Sequence, residues 1–196
     1  MKSPALFSTL LLALFLSLFA ACSDDGSSSP TSEATPATKP RGKTLVAYFS
    51  RTGNTKPLAE YAAEYLGATL FEITAKIPYT DEDIAYYTDC RADREQKDES
   101  ARPEIATAVE MNEYDTVIIA HPIWHGIAPR IISTFLESYD FSGKTLLTFC
   151  TSASSPLGQS AKLLQELTPN STWLESKRFA IGTSREEIEK WLDDVL

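Results

Sequence analysis

The sequence predicts an α/β domain built on a parallel sheet of five strands with helices on both faces. Three observations carry this reading. From residue 44 onward, short apolar runs alternate with segments whose apolar residues recur at helical spacing. Three of the runs, at 44–49, 116–120 and 144–149, end in loops rich in small, hydroxyl or aromatic residues. Helix-start signals follow the strand-like runs, with Pro129 at one start and Ser184 with Glu187 three residues later at another.

The elements follow in order. The run 44–49 (Thr-Leu-Val-Ala-Tyr-Phe) reads as a buried strand, and helix 54–66 comes next because Leu58, Tyr61, Ala62 and Tyr65 lie on one face. Strand 68–74 leads into a long polar stretch, 76–102, that holds Tyr79, Tyr86, Tyr87 and many charges. A helix is expected near 103–111, with Pro103 in its permitted first turn. Strand 115–121 precedes helix 129–138, strand 144–150 precedes helix 157–167, and strand 172–181 with helix 184–195 closes the chain. Strand–helix alternation places the strands parallel, so the three loops meet at one sheet edge. Open α/β sheets bind their ligands there.

The ends of the chain read differently. Residues 5–20 are apolar and uncharged behind Lys2, which is signal-peptide length and short for a membrane span. The stretch ends Leu-Phe-Ala-Ala before Cys22, which resembles a lipoprotein cleavage box whose cysteine is diacylated. Phe19 stands where that pattern prefers Leu, and an ordinary secretory signal is the alternative. Residues 22–42 are rich in Ser, Thr, Pro and Ala and cannot bury an apolar face, so they read as a tether. The organisation is a signal peptide over 1–21, a tether over 22–42 and one domain over 43–196. The expected location is extracytoplasmic, lipid-anchored to a bacterial membrane on its periplasmic or surface face. Ser23-Asp24-Asp25 also resembles an acidic surface-export tag.

Removing residues 1–21 takes away only Lys2 and moves the formal net charge from −9 to −10. So acidic a chain repels nucleic acid and anionic lipid, so attachment would run through acyl chains, and a basic redox partner suits it. Cys90 and Cys150 could pair outside the cytoplasm, and sequence spacing leaves that open.

The first loop, Ser50-Arg51-Thr52-Gly53-Asn54-Thr55, is an anion site by composition. A strand-to-helix turn offers unpaired N–H groups and the positive end of a helix, hydroxyls add donors, and Gly53 allows close approach. It lacks the Gly-Lys-Ser/Thr of nucleoside-triphosphate loops. The second loop runs from His121 through Pro122, Ile123, Trp124, His125 and Gly126 to Pro129. The third contains Thr151, Ser152 and Ala153. His121 and His125 are four apart, but Pro122 lies between them and the Glu of a zinc helix is missing. No Gly-x-Ser-x-Gly elbow occurs, and only two histidines exist to serve a triad. Hydrolase and metalloenzyme readings therefore fail, as does nucleic-acid binding.

Taken together, the first loop, the Pro-Ile-Trp-x-Gly loop, the run Thr-Phe-Leu-Glu-Ser-Tyr-Asp-Phe-Ser-Gly-Lys-Thr and the Phe-Cys-Thr-Ser loop resemble the flavodoxin family across residues 43–196. The resemblance implies a three-layer sandwich of strand order 2-1-3-4-5 with FMN as cofactor. It places the phosphate on Ser50, Thr52, Asn54 and Thr55, with Arg51 an additional charge beside Gly53. It stacks Trp124 on the flavin ring and sets the N–H groups of Trp124, His125 and Gly126 at the flavin edge, with Pro122 and Ile123 in the same loop. Thr151, Ser152 and Ala153 face the pyrimidine side, where many relatives carry Gly-Gly and this chain has Ala153-Ser154. The function implied is electron transfer to a partner protein. A nicotinamide-dependent quinone-type reductase is one alternative, and a binding lipoprotein that has lost its flavin is another. No Gly-x-Gly-x-x-Gly fingerprint or second domain is visible, which favours the carrier.

Overall fold

The computed structural model of the chain describes residues 42–86 and 89–196. The signal peptide, Cys22, nearly all of the tether and Tyr87 lie outside the described residues. Among the described residues six strands, β1 (Thr44–Tyr48), β2 (Thr69–Glu72), β3 (Thr116–Pro122), β4 (Thr145–Ser152), β5 (Thr172–Trp173) and β6 (Lys177–Ala180), make one sheet. Its order is β2-β1-β3-β4-β5, every pairing is parallel, and β6 also pairs with β4. Among the described residues five α-helices join and flank the strands: α1 (Lys56–Leu66), α2 (Arg91–Lys97), α3 (Arg130–Glu137), α4 (Ser160–Glu166) and α5 (Arg185–Val195).

The side-chain period of two divides each central strand between two cores. Leu45, Ala47, Val117, Ile119 and Leu146 point to the layer with Ile131, Ile132, Phe135 and Leu136 of α3 and Leu164 of α4. Val46, Tyr48, Ile118, Ala120, Leu147 and Phe149 point to the layer with Leu58 and Ala62 of α1 and Ile188, Trp191 and Leu192 of α5. All of these side chains are buried. Sequestering each Leu, Ile or Phe contributes about 1.5–3 kcal/mol, so the sheet is held from both faces. Closely packed alanines on α1 (Ala59, Ala62, Ala63) let that helix lie near the sheet. Ser184 and Glu187 close the expected capping box on α5, with Ser184 Oγ accepting from Glu187 N at 3.4 Å.

Two elements differ from the expectation. Residues 103–111 are not a helix. The segment instead runs antiparallel beside Ala75, with Lys76 N donating to Glu104 O and Ala106 N to Thr74 O, both at 2.8 Å. It thereby caps the continuation of β2. The helix of this region is α2, inside the stretch read as polar loop, with the Cys90 sulfur accepting from Asp93 N at its start. The expected strand 172–181 is broken into β5 and β6. Leu146 faces Trp173 whereas Phe149 faces Lys177, so the edge carries one residue more than β4 between those pairs. That insertion interrupts the ladder as a bulge does. Cys90 and Cys150 are both buried free thiols rather than a disulfide.

Candidate functional site

β1, β3 and β4 end at the same edge, and the three loops that leave them are tied together by Thr151. Its hydroxyl shares a 2.7 Å hydrogen bond with the hydroxyl of Thr55 in the first loop. Its carbonyl accepts from Ile123 N of the second loop at 3.1 Å. Parallel pairing sets this up, because β3 and β4 run in register as far as Pro122 and Thr151.

In the first loop, Ser50 Oγ accepts from the N–H groups of Thr55 and Lys56, each at 3.2 Å, and so caps the start of α1. Its own O–H remains to donate. Thr55 is buried, and its hydroxyl faces Thr151. Asn54 Nδ2 donates to Thr52 Oγ1 at 3.0 Å. The backbone N–H groups of Arg51, Thr52, Gly53 and Asn54 have no partner among the described residues. Gly53 stands at φ 81° with nothing near its Cβ position, so the backbone angle and not crowding asks for glycine. Arg51 does not face this row. Its guanidinium pairs with Asp81 at 2.7 Å and donates to the Tyr79 carbonyl. The loop therefore offers N–H and O–H donors at the positive end of an eleven-residue helix. That donor set fits a phosphate monoester, and its fit does not depend on a free guanidinium.

The second loop closes on itself. Trp124 and Ile127 exchange N–H···O bonds of 2.9 and 3.1 Å around His125 and Gly126. Both central residues have positive φ, 46° and 92°, as in a type I′ turn. The Trp124 ring is set edge-to-face against Phe49 at 5.3 Å and Tyr79 at 5.0 Å. It is half-buried, and its orientation is fixed by these neighbours. Tyr79 is held in turn by Glu95, which accepts from its phenol at 2.6 Å, and by the Arg91 guanidinium 4.0 Å over its ring. Burial first and the Glu95 carboxylate second push the Tyr79 phenol far above its ordinary range.

The third loop is anchored from β6. Arg178 donates to Ser152 Oγ and Ser152 O at 2.9 Å and to Ala153 O at 3.0 Å, while Ser152 Oγ donates to Ser155 O. Ser152 is thus engaged and Ala153 is exposed. Beside the first loop, a cavity of about 310 Å³ is walled by Phe49, Ile73, Ala75, Pro78 and Tyr79, with Ser50, Arg51 and Glu72 also lining it.

The structure brings Ser50–Thr55, Pro122–Gly126 and Thr151–Ala153 to one edge. Several residues that shape the site were not visible in the sequence. Gln96 and Asp93 on α2 reach the second loop, Tyr79 packs on Trp124, Asp81 engages Arg51, and Arg178 holds the third loop. No local pattern marks them, since each acts across a long sequence separation. The nearest signal was the tyrosine-rich character of the polar stretch.

A flavodoxin family profile matches residues 43–195. No curated protein matches the chain. Among solved structures, a candidate flavoprotein from Bacteroides uniformis ATCC 8492 shares 41% identity at a TM-score of 0.74, over 78% of this chain and 99% of its own. A second from Bacteroides eggerthii DSM 20697 shares 39% at 0.73, over 78% and 97%. A flavoprotein from Lactobacillus acidophilus NCFM, solved in complex with FMN, shares 24% at 0.58, over 77% and 99%, a likeness of fold.

Proposed function

The chain belongs to the flavodoxin family, and from that premise we propose that its domain binds FMN and passes electrons to a partner protein. The observation that carries this reading is the row of backbone N–H groups from Arg51 to Asn54, unpaired among the described residues, at the start of α1 and beside the Ser50 hydroxyl. Arg51 and Asn54 are half-buried and Thr52 and Gly53 exposed, so the row opens to solvent, and an anion is the natural complement of successive backbone donors at a helix start. The Lactobacillus structure in complex with FMN supports the same ligand. Bound FMN would supply the electron-accepting and electron-donating chemistry. This chain's residues do the rest. Ser50 and residues 51–55 hold the phosphate, Trp124 walls the ring, and the second and third loops present backbone groups to its polar edge.

The test separates phosphate from ring. The purified full chain should bind FMN more tightly than riboflavin. Thr52→Glu should cancel most of that preference by setting a like charge at the open tip of the loop. Thr55 is the wrong position for this test, because its buried hydroxyl joins two loops. A Thr52→Glu chain that still prefers FMN as the parent does would misplace the phosphate. A parent that binds neither flavin would overturn the FMN reading.

The proposal extends to the N-terminus. The uncharged apolar stretch before Ala20-Ala21-Cys22 and the polar residues after it support cleavage before Cys22 and acylation of that cysteine. Mass spectrometry of the mature protein should find acyl chains on Cys22. An unmodified N-terminus at another residue, with the protein in the soluble fraction, would overturn the anchor.

A further inference from the structure

The turn of the second loop has an unusual residue at its tip. His125 is the one non-glycine residue at positive φ among the described residues. Both central positions of such a turn favour Gly, Asn or Asp, so a histidine there is held by its surroundings. Tyr86 stacks on the imidazole itself at 5.3 Å, and the backbone on either side of it is held by Gln96 of α2, itself 8% exposed. Its Nε2 donates to Trp124 O at 2.9 Å and Ala128 O at 3.0 Å, with Ile127 O at 3.4 Å. These carbonyls lie on both arms of the turn. The carboxamide cannot be reversed without setting its oxygen against three carbonyls, so its orientation is determined. It is also one-sided, since Gln96 Oε1 is buried with no partner among the described residues. A residue that merely filled space would not leave a buried acceptor unmet.

The clamp is reciprocal. Arg130, just beyond the loop, donates to Gln96 O at 3.0 Å and to Glu95 O at 3.3 Å. Asp93, one turn earlier on α2, stands 3.6 Å from His125 Nδ1. Side chains of α2 therefore hold the loop, and Arg130, the first residue of α3, holds the backbone of α2. With the carbonyls of Trp124, Ile127 and Ala128 occupied, the N–H groups of His125 and Gly126 have no partner among the described residues. The turn thus keeps two backbone donors uncommitted, with Gly126 exposed and His125 half-buried.

We propose that Gln96 is a positioning residue for the cofactor. It fixes the 124–127 turn in the form that offers the His125 and Gly126 N–H groups to the acceptor edge of the flavin ring. This rests on the FMN reading above. Gln96 acts on the ring side of the site and leaves the phosphate loop alone.

The experiment uses the full chain and its Gln96→Met variant, which keeps the length of the side chain and removes its donors. In the flavin-free protein, amide hydrogen exchange at Trp124 and Ile127 should quicken about tenfold or more, with β1 and β3 unchanged. FMN and riboflavin should both bind about tenfold more weakly and by the same factor, and the absorption maxima of bound FMN should shift. His125→Gly supplies the second measurement. Glycine adopts the turn unaided, so in that background Gln96→Met should cost about threefold or less. Parent-like exchange and affinity in Gln96→Met would overturn the proposal, as would a loss confined to FMN or an equal loss in the His125→Gly background. If the parent binds neither flavin, the FMN reading fails, while the exchange data still decide whether Gln96 holds the turn.

Discussion

His121, at the end of β3, is a basic side chain kept without its proton. It is fully buried, its Nδ1–H donates to Pro122 O at 2.9 Å, and its Nε2 has no partner among the described residues. A second ring proton would have no acceptor, and burial pushes the imidazole down to about 4. The unfolded chain binds that proton near pH 6.5, so between about 6.5 and 4 the unfolded state carries more protons than the native one. Stability from this group is therefore present at neutral pH and is lost as the pH falls through that window. Urea unfolding at pH 7 and pH 4.5 should show an acid loss roughly 2 kcal/mol larger in the parent than in His121→Phe. Carboxylates held below their usual range, such as Glu137 beside Arg102, also lose stability in acid, but they do so equally in both proteins. An identical loss in parent and variant would clear His121 of the effect. The neighbouring Cys150 thiol is pushed up to about 12 by burial, which makes it a packed, unreactive group despite its place beside the site.

Among the elements, legibility tracks how much of the signal is local. β1, β3 and β4 are continuous apolar runs because both of their faces are covered, and α5 announces itself through Ser184 and Glu187. α2 does not. Its seven residues are Arg-Ala-Asp-Arg-Glu-Gln-Lys, and only Ala92 and Gln96 are buried, so it has no apolar stripe to read. Conversely, Ile105, Ala106 and Val109 behind Pro103 imitate a helix face. The segment is instead tied to residues about thirty positions away, Ala106 N donating to Thr74 O, Glu104 O accepting from Lys76 N, and Val109 N donating to the Tyr139 hydroxyl. Periodicity cannot register a partner so distant. The split of β5 from β6 has the same origin, since the extra residue is defined only against β4. The site follows this division. The three loops were visible as strand ends, whereas Gln96, Asp93 and Arg178 become part of the site only once α2 and β6 are in place.

At the scale of the whole molecule, the formal net charge of −9 bears on the kind of electron exchange to expect. A chain of that charge attracts a basic partner over distances set by the Debye length, about 30 Å at 0.01 M salt and about 8 Å at 0.15 M. A carrier that works through brief encounters gains rate from such steering, and that gain falls as salt rises. A reductase that turns over NADH or NADPH must in addition hold an anionic dinucleotide against its own negative field. No nicotinamide fingerprint is visible in the sequence to offset that repulsion. The expected outcome of stopped-flow mixing of the FMN-loaded chain with NADH or NADPH, with and without a quinone, is slow or negligible bleaching of flavin absorbance. After chemical reduction, electron transfer to cytochrome c, a basic one-electron acceptor, should be fast at 0.01 M salt and slow markedly by 0.15 M. Rapid bleaching by a nicotinamide, sustained over many turnovers with quinone, would make the protein a reductase. A rate to cytochrome c that ignores salt would show that its charge does not guide the partner, and the carrier role would then need a different docking principle.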